Sequence, residues 1–220
     1  MKTIVITGSA SGIGLELTRQ LAARGDKVFA LCRTATPELS ALPVTVVTGI
    51  ELTAPNLEAQ LTSALKGVKI DWLLNNAGIF ENETLEDMNI EQIRRQFEVN
   101  TIAPLRVTTA LLAQLSAGSK IGITTSRMGS ISDNTSGQYY GYRMSKAAVN
   151  MMGKSLTVDL LPKKIAVALL HPGYVKTKLT HHHGEITPDV SAQGLIRLMD
   201  ALTLERSGGF WHTNGTGLSW

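Results

Sequence analysis

Thr3-Ile4-Val5-Ile6-Thr7 is five β-branched residues in succession, and Gly8-Ser9-Ala10-Ser11-Gly12-Ile13-Gly14 follows at once. Branching at Cβ stiffens a side chain and suits it to a pleated surface. A strand with no polar alternation is covered on both faces, as in a parallel sheet. Leu15, Thr18, Leu21 and Ala22 then share one helical face that Gly25 ends, so the opening unit reads strand, glycine-bearing turn, helix. Short strands are expected again at Val28–Leu31, Val44–Val47, Trp72–Leu74, Ile121–Thr125, Ile165–Leu170 and Phe210–Thr213. Helical patterns fall between them, around 55–66, 89–115, 142–161 and 188–204. Alternation of this kind predicts a Rossmann-type α/β fold: one doubly wound parallel sheet of about seven strands with helices on both faces.

A chain of 220 residues suits a single domain over 1–220. At this size roughly 70–75% of the unfolded surface is buried, so no disulfide or metal staple is needed. Cys32 is the one cysteine. It has no partner for an internal disulfide and reads as a small strand residue, in keeping with a reducing, cytoplasmic setting. The net charge of +3 comes from 21 basic and 18 acidic residues that are scattered, so a nucleic-acid partner is not expected. The apolar run at the start is too short for a signal-peptide core or a membrane span.

The glycine turn has a chemical reading. Gly8 suits a tight turn, Gly12 lets the backbone approach a pyrophosphate, and Gly14 lets helix and strand pack closely. The helix that follows presents free N–H groups and the positive end of its dipole to an anion. The end of the second strand selects the ribose: an acidic residue there would hold the 2′-hydroxyl of NAD, but the sequence has Cys32-Arg33-Thr34. The planar fork of Arg33 suits a 2′-phosphate, which favours NADP(H) over NAD(H). Asp26 follows Gly25 and reads as a turn residue.

Of Tyr139, Tyr140 and Tyr142, only Tyr142 has a lysine four residues on, Lys146. On a helix that offset is about 40° and 6 Å, so the two share a face. A neighbouring ammonium favours the phenolate, and Tyr142 is expected to have a lowered pKa and to exchange protons. Pro104 lacks an N–H and frees the carbonyl of Asn100 inside a helical stretch.

At this point the sequence resembles the short-chain dehydrogenase/reductase family. The matching pieces are Thr7-Gly8-x-x-x-Gly12-x-Gly14, Asn75-Asn76-Ala77-Gly78, Asn100, Ser126, Tyr142-x-x-x-Lys146 and Pro172-Gly173-Tyr174-Val175-Lys176-Thr177, in family order over nearly the whole chain. The stretches Thr125–Ile131 and Tyr142–Lys146 look most like the C-factor/Sniffer-like carbonyl reductases of the compact branch.

The resemblance implies a catalytic set of Asn100, Ser126, Tyr142 and Lys146. Tyr142 would be the general acid in reduction of an aldehyde or ketone. Lys146 would lower its pKa and bind the nicotinamide ribose, Ser126 would bond the substrate oxygen, and Asn100 would hold a relay water. The implied cofactor contacts are Gly8, Ser9, Ser11, Gly12, Ile13, Gly14, Arg33, Glu51, Leu52, Asn76, Ala77, Gly78, Tyr142, Lys146, Pro172, Gly173, Val175 and Thr177. Ser126 lies sixteen residues before Tyr142, further than in many relatives, and Ser130, at twelve, competes for its role.

The expected partners are therefore a nicotinamide cofactor and a small carbonyl or alcohol, with no membrane. Two other functions are open: a nicotinamide-binding signalling or redox-sensor protein with incidental activity, and a sugar-nucleotide epimerase. About forty residues follow Thr177, few for an epimerase's substrate domain. Consecutive His181, His182 and His183 side chains diverge, so that stretch reads as a surface loop or lid and no metal is expected. Over Ala147–Leu161 a narrow polar stripe of Asn150, Lys154 and Thr157 faces a wide apolar arc, which suggests packing against a second copy in a homodimer or homotetramer.

Overall fold

The computed structural model describes all residues from Met1 to Trp220. Seven parallel strands form one sheet in the order β3-β2-β1-β4-β5-β6-β7, with β1 Thr3–Thr7, β2 Lys27–Leu31, β3 Thr45–Val47, β4 Ile70–Asn75, β5 Leu115–Thr124, β6 Ala166–His171 and β7 Gly209–His212. The chain winds outward from β1 to β3, returns to β4 beside β1, and continues to β7, so the strand order reverses between β1 and β4. Ligands of open α/β sheets bind outside the carboxyl ends of the strands at such a reversal.

The helices are α1 Gly12–Ala23, α2 Pro37–Ser40, α3 Leu57–Ala64, α4 Ile90–Phe97, α5 Ala103–Ala110, α6 Tyr140–Leu160 and α7 Pro188–Asp200. Two buried clusters cover the two faces of the sheet. Val5, Leu73, Ile121, Ile123, Leu169 and Val149 belong to one; Ile4, Ile6, Trp72, Leu74, Leu170 and Leu195 belong to the other. Neighbours along β1 fall in opposite clusters, which is why a run without polar alternation is stable there.

Three local expectations are revised. The single helix expected over 89–115 is broken: Glu98–Ile102 forms a π-turn between α4 and α5. Pro104 requires this, because its nitrogen has no proton for the carbonyl of Asn100 and its ring crowds that oxygen. The same expected helix ends early, since β5 already begins at Leu115. The fifth strand is therefore ten residues long, and its pairing with β4 shifts register between Ile70 and Trp72. Ser119 Oγ bridges the irregularity, donating to the Ile70 carbonyl at 2.7 Å.

The third revision concerns α6. The polar stripe is split: Asn150 and Thr157 are buried, with Thr125 Oγ1 donating to Asn150 Oδ1 at 2.6 Å, while Lys154 is exposed. The outward face instead carries Met144, Met151 and Val158, spaced by seven, with Met151 and Val158 each 69% exposed. Asp26 is the turn residue expected, accepting from Lys2 N–H at 2.8 Å and pairing with Arg24. No helix is long and apolar enough to cross a membrane.

Candidate active site

The carboxyl ends of β1, β2, β4, β5 and β6 open onto one continuous cleft of about 1900 Å³. Its floor at one end is the turn after β1. Gly8 and Gly12 hold φ of +70° and +54°, left-handed values that favour glycine. A Cβ on Gly14 would run into the Gly8 carbonyl oxygen, and a Cβ on Gly8 would stand 2.9 Å from Ala77 Cα. The side chain of Ser11 does not cap α1, so the first N–H groups of that helix point free into the turn. Close backbone, uncapped donors and a helix N-terminus fit a pyrophosphate. Gly12 also faces Thr177 across the cleft: a Cβ there would lie 3.4 Å from Thr177 Cγ2.

Of the residues expected to touch a cofactor, Gly8, Ser11, Gly12, Ile13, Gly14, Arg33, Glu51, Leu52, Asn76, Ala77, Gly78, Tyr142, Lys146, Pro172, Gly173, Val175 and Thr177 all line the cleft. Ser9 does not. It is fully buried, its Oγ donates to the Ile6 carbonyl at 2.9 Å, and its N–H donates to Leu31. Ser9 ties the turn to the sheet because the chain needs an internal donor where it leaves β1. Asn76 reaches the cleft but is also a brace: its N–H and that of Ala77 both donate to Thr7 Oγ1, at 3.0 and 3.1 Å. Exposed Arg33 and half-exposed Glu51 meet at 3.6 Å on the rim beyond β2.

At the other end, α6 carries Tyr142 and Lys146 along the cleft wall. Lys146 is 3% exposed, and its Nζ donates to the Thr124 carbonyl at 3.0 Å and lies 5.7 Å from the centroid of the Tyr142 ring. Burial pulls the Lys146 ammonium down to about 8. Burial also pushes the Tyr142 phenol up to about 12, with the Ser126 hydroxyl opposing the shift. The sequence expectation was a phenol lowered by its lysine neighbour. In this cleft loss of water raises the phenol, and Tyr142 holds its proton throughout the neutral range.

Ser126 follows β5, lines the cleft, and its Oγ accepts from Met128 N–H at 3.1 Å. Ser130 is buried off the cleft wall, with its Oγ 3.3 Å from Ser132 Oγ. Asn100 is likewise buried and off the wall. Its Oδ1 accepts from Ile79 N–H at 2.8 Å, and its Nδ2 donates to the Ile79 carbonyl and to Ser145 Oγ. The side-chain amide thus locks the loop after β4 to α6.

Several wall residues escaped the sequence reading. Phe80 sets its ring edge-on to Tyr142, with centroids 4.9 Å apart. Arg127 pairs with Asp133 on the cleft wall. His171 ends β6 stacked edge-on against His212, and its buried Nδ1 has no partner. Phe80 sits two residues past Gly78, where an aromatic in a polar loop was the available signal. His171 carried none, because its neighbour on β7 is 41 positions away. His181–His183 are mostly exposed on the rim, and no three His, Cys, Asp or Glu side chains gather closely enough to hold a metal ion.

The family model for short chain dehydrogenase matches residues 2–186. The chain is 42% identical over the full length of both proteins to 1-hydroxy-2-glutathionyl-2-methyl-3-butene dehydrogenase of Rhodococcus sp. (strain AD45). It is 40% identical to the C-signal of Myxococcus xanthus over 154 residues, 69% of this chain and 93% of that protein. Among solved structures, NADPH-bound carbonyl reductase from chicken fatty liver superposes over 100% of this chain and 99% of its own with a TM-score of 0.89, at 29% identity. A seven-stranded parallel sheet, a glycine cradle at its strand-order reversal, a tyrosine–lysine pair across the same cleft and these matches have one common explanation: the chain belongs to the short-chain dehydrogenase family of oxidoreductases.

Proposed function

We propose that the protein reduces an aldehyde or ketone with NADP(H), Tyr142 acting as general acid. The observation that carries the reading is the geometry of the Tyr142–Lys146 pair: Lys146 Nζ lies 5.7 Å from the centroid of the Tyr142 ring, and both line the same cleft as Ser126 and the glycine turn. The bound cofactor would supply the hydride. Everything else falls to the chain. The turn from Gly8 to Gly14 and the start of α1 bind phosphate, and Arg33 takes the 2′-phosphate. Pro172, Gly173, Val175 and Thr177 border the nicotinamide end. Ser126 and Tyr142 direct two hydroxyls at the substrate oxygen, where negative charge grows during reduction. Lys146 holds the ribose and keeps a cation beside the phenol as it loses its proton. Tyr142→Phe is expected to bind NADPH within about twofold of wild type and to lose at least about 10²-fold in turnover. Unchanged turnover would overturn the role.

The substrate panel for that measurement includes simple aromatic aldehydes and, run in the oxidative direction, an alcohol bearing a glutathionyl thioether, the type of compound named for the Rhodococcus relative. The likeness to the C-signal supports the signalling alternative. Tight NADPH binding with no turnover on any carbonyl would favour it. The outward Met144-Met151-Val158 row on α6, continued by half-exposed Ile102 and Leu105 of the π-turn and α5, supports pairing with a second copy in a homodimer or homotetramer.

A further inference from the structure

Where α4 runs into the π-turn, two buried amides about one helical turn apart meet the loop after β4: Gln96 of α4 and Asn100 of the π-turn. Each pins a different part of that loop. Asn100 holds Ile79 at both its N–H and its carbonyl. Gln96 Oε1 accepts from Glu81 N–H at 3.1 Å, while its Nε2 donates to Glu83 Oε1 at 2.5 Å. Phe80 lies between the two pins.

Glu83 is 0% exposed, and no cation pairs with it. Its second oxygen, Oε2, accepts from Gly141 N–H at 3.1 Å, and its main-chain carbonyl accepts from Tyr139 N–H at 3.0 Å. Both N–H groups belong to the start of α6. That helix has no cap of its own: Tyr139, the residue ahead of its first turn, has a left-handed φ of 53° and a side chain that caps nothing. Glu83 therefore supplies from another segment the acceptor that a capping residue normally provides, at the helix end whose dipole favours an acidic group. The fit leaves no slack. A Cβ on Gly141 would collide with Gln96 Nε2 and stand 3.0 Å from Glu83 Oε1.

Burying an acidic group without a cation is costly, and an apolar side chain of similar size would serve packing better. We propose that Glu83, held by Gln96, is a positioning residue for Tyr142: it fixes the first turn of α6 and the ring of Phe80 so that the phenol stays aimed at the substrate oxygen. The proposal rests on Tyr142 being the proton donor, one residue beyond Gly141.

The test is an exchange of partners. In Glu83→Gln an amide NH₂ must face either the NH₂ of Gln96 or the Gly141 N–H, and one donor is stranded. In Gln96→Glu the donor between residues 96 and 83 is gone. The double variant Glu83→Gln with Gln96→Glu restores every bond, since the new amide accepts from Gly141 and donates to the new carboxyl, which accepts from Glu81. Turnover is followed with NADPH and the best carbonyl of the substrate panel, below the melting temperature of every variant. Each single variant is expected to lose about 10- to 100-fold in kcat. KM and NADPH affinity should stay within about threefold, and the double variant should recover to within about fivefold of wild type.

Full kcat in a folded Glu83→Gln variant overturns the proposal. So does a double variant no better than its worse parent, or a kcat loss that merely follows the loss of folded protein or of NADPH binding. Tyr142→Phe run alongside separates the two ideas. An inactive Tyr142→Phe with a fully active Glu83→Gln removes the clasp alone, whereas an active Tyr142→Phe removes the donor reading and the clasp with it.

Discussion

Lys146 Nζ stands 5.7 Å from the centroid of the Tyr142 ring and spends a hydrogen bond on the Thr124 carbonyl, 3.0 Å away. The carbonyl comes from the last residue of β5, so the cation is fastened to the sheet and the phenol rides on the helix. Both groups are withdrawn from water, and withdrawal shifts them in opposite senses, the amine down and the phenol up. At neutral pH the amine, at about 8, still carries its charge, and the phenol stays neutral.

Lys146 makes stability depend on pH in a defined window. Its folded pKa is about 8 against an ordinary 10.5. Below pH 8 both folded and unfolded chains bind the proton, and the full cost of burying the charge is present. Between pH 8 and 10.5 the unfolded chain keeps the proton that the folded chain has released, so stability rises with pH. The gain is up to about 3 kcal/mol at 1.36 kcal/mol per unit. Urea midpoints at pH 7.5 and 10 should show it for wild type, and Lys146→Met should lack it. Parallel curves for the two proteins would contradict the shift.

Arg33 and Glu51 are expected to set the cofactor preference together. The guanidinium is 73% exposed and meets the Glu51 carboxylate at 3.6 Å, so a 2′-phosphate must share it. Arg33→Ala is expected to cost about 10- to 100-fold in NADPH affinity, the worth of a charged hydrogen bond, and little for NADH. Glu51→Gln should tighten NADPH a few-fold, more at low salt. Titrations of both cofactors at two ionic strengths decide it, and equal losses for NADPH and NADH in Arg33→Ala would remove the assignment.

Ser126 and Ser130 are separated by one turn of 3₁₀ helix and end in different places. Ser126 is on the cleft wall and faces the Tyr142 phenol, while Ser130 is turned toward Ser132. Ser126→Ala should lower kcat by about 10²-fold, in the range of a lost oxyanion donor. Ser130→Ala should keep kcat within a few-fold and cost about 1 kcal/mol of stability. Turnover lost at Ser130 and kept at Ser126 would reverse the two roles.

The outward row on α6 yields the fourth expectation. Met151→Glu places a charge at the centre of the Met144-Met151-Val158 row without touching the cleft. Sedimentation should show wild type at a multiple of 23.7 kDa and the variant shifted to that mass. A wild-type protein that already sediments at 23.7 kDa would show that the row covers nothing.

How far the sequence reached is clearest residue by residue. The strand–turn–helix unit at the start was legible because β-branched runs and glycines act through local sterics, and the glycines after β1 behave accordingly. The alternation of strands and helices likewise fixed the sheet type, since handed crossovers leave few topologies. Tyr142 and Lys146 were found as a pair because a helix brings i and i+4 together by itself. What failed needed neighbours distant in the chain. Ser9 was expected at the cofactor, but it is buried with its N–H donating to Leu31 of β2, 22 residues on. The α6 stripe was legible only as polar residues beside an apolar arc, and Thr125, just past β5, supplies Asn150 with a partner inside. The tyrosine's pKa looked lowered because one cation was visible in sequence, whereas it is raised by burial among residues distant in the chain, Phe80 of the loop after β4 and Ser126 after β5 among its neighbours. Local stereochemistry settled which elements form; long-range packing, which decides where water is excluded, settled what the buried polar groups do.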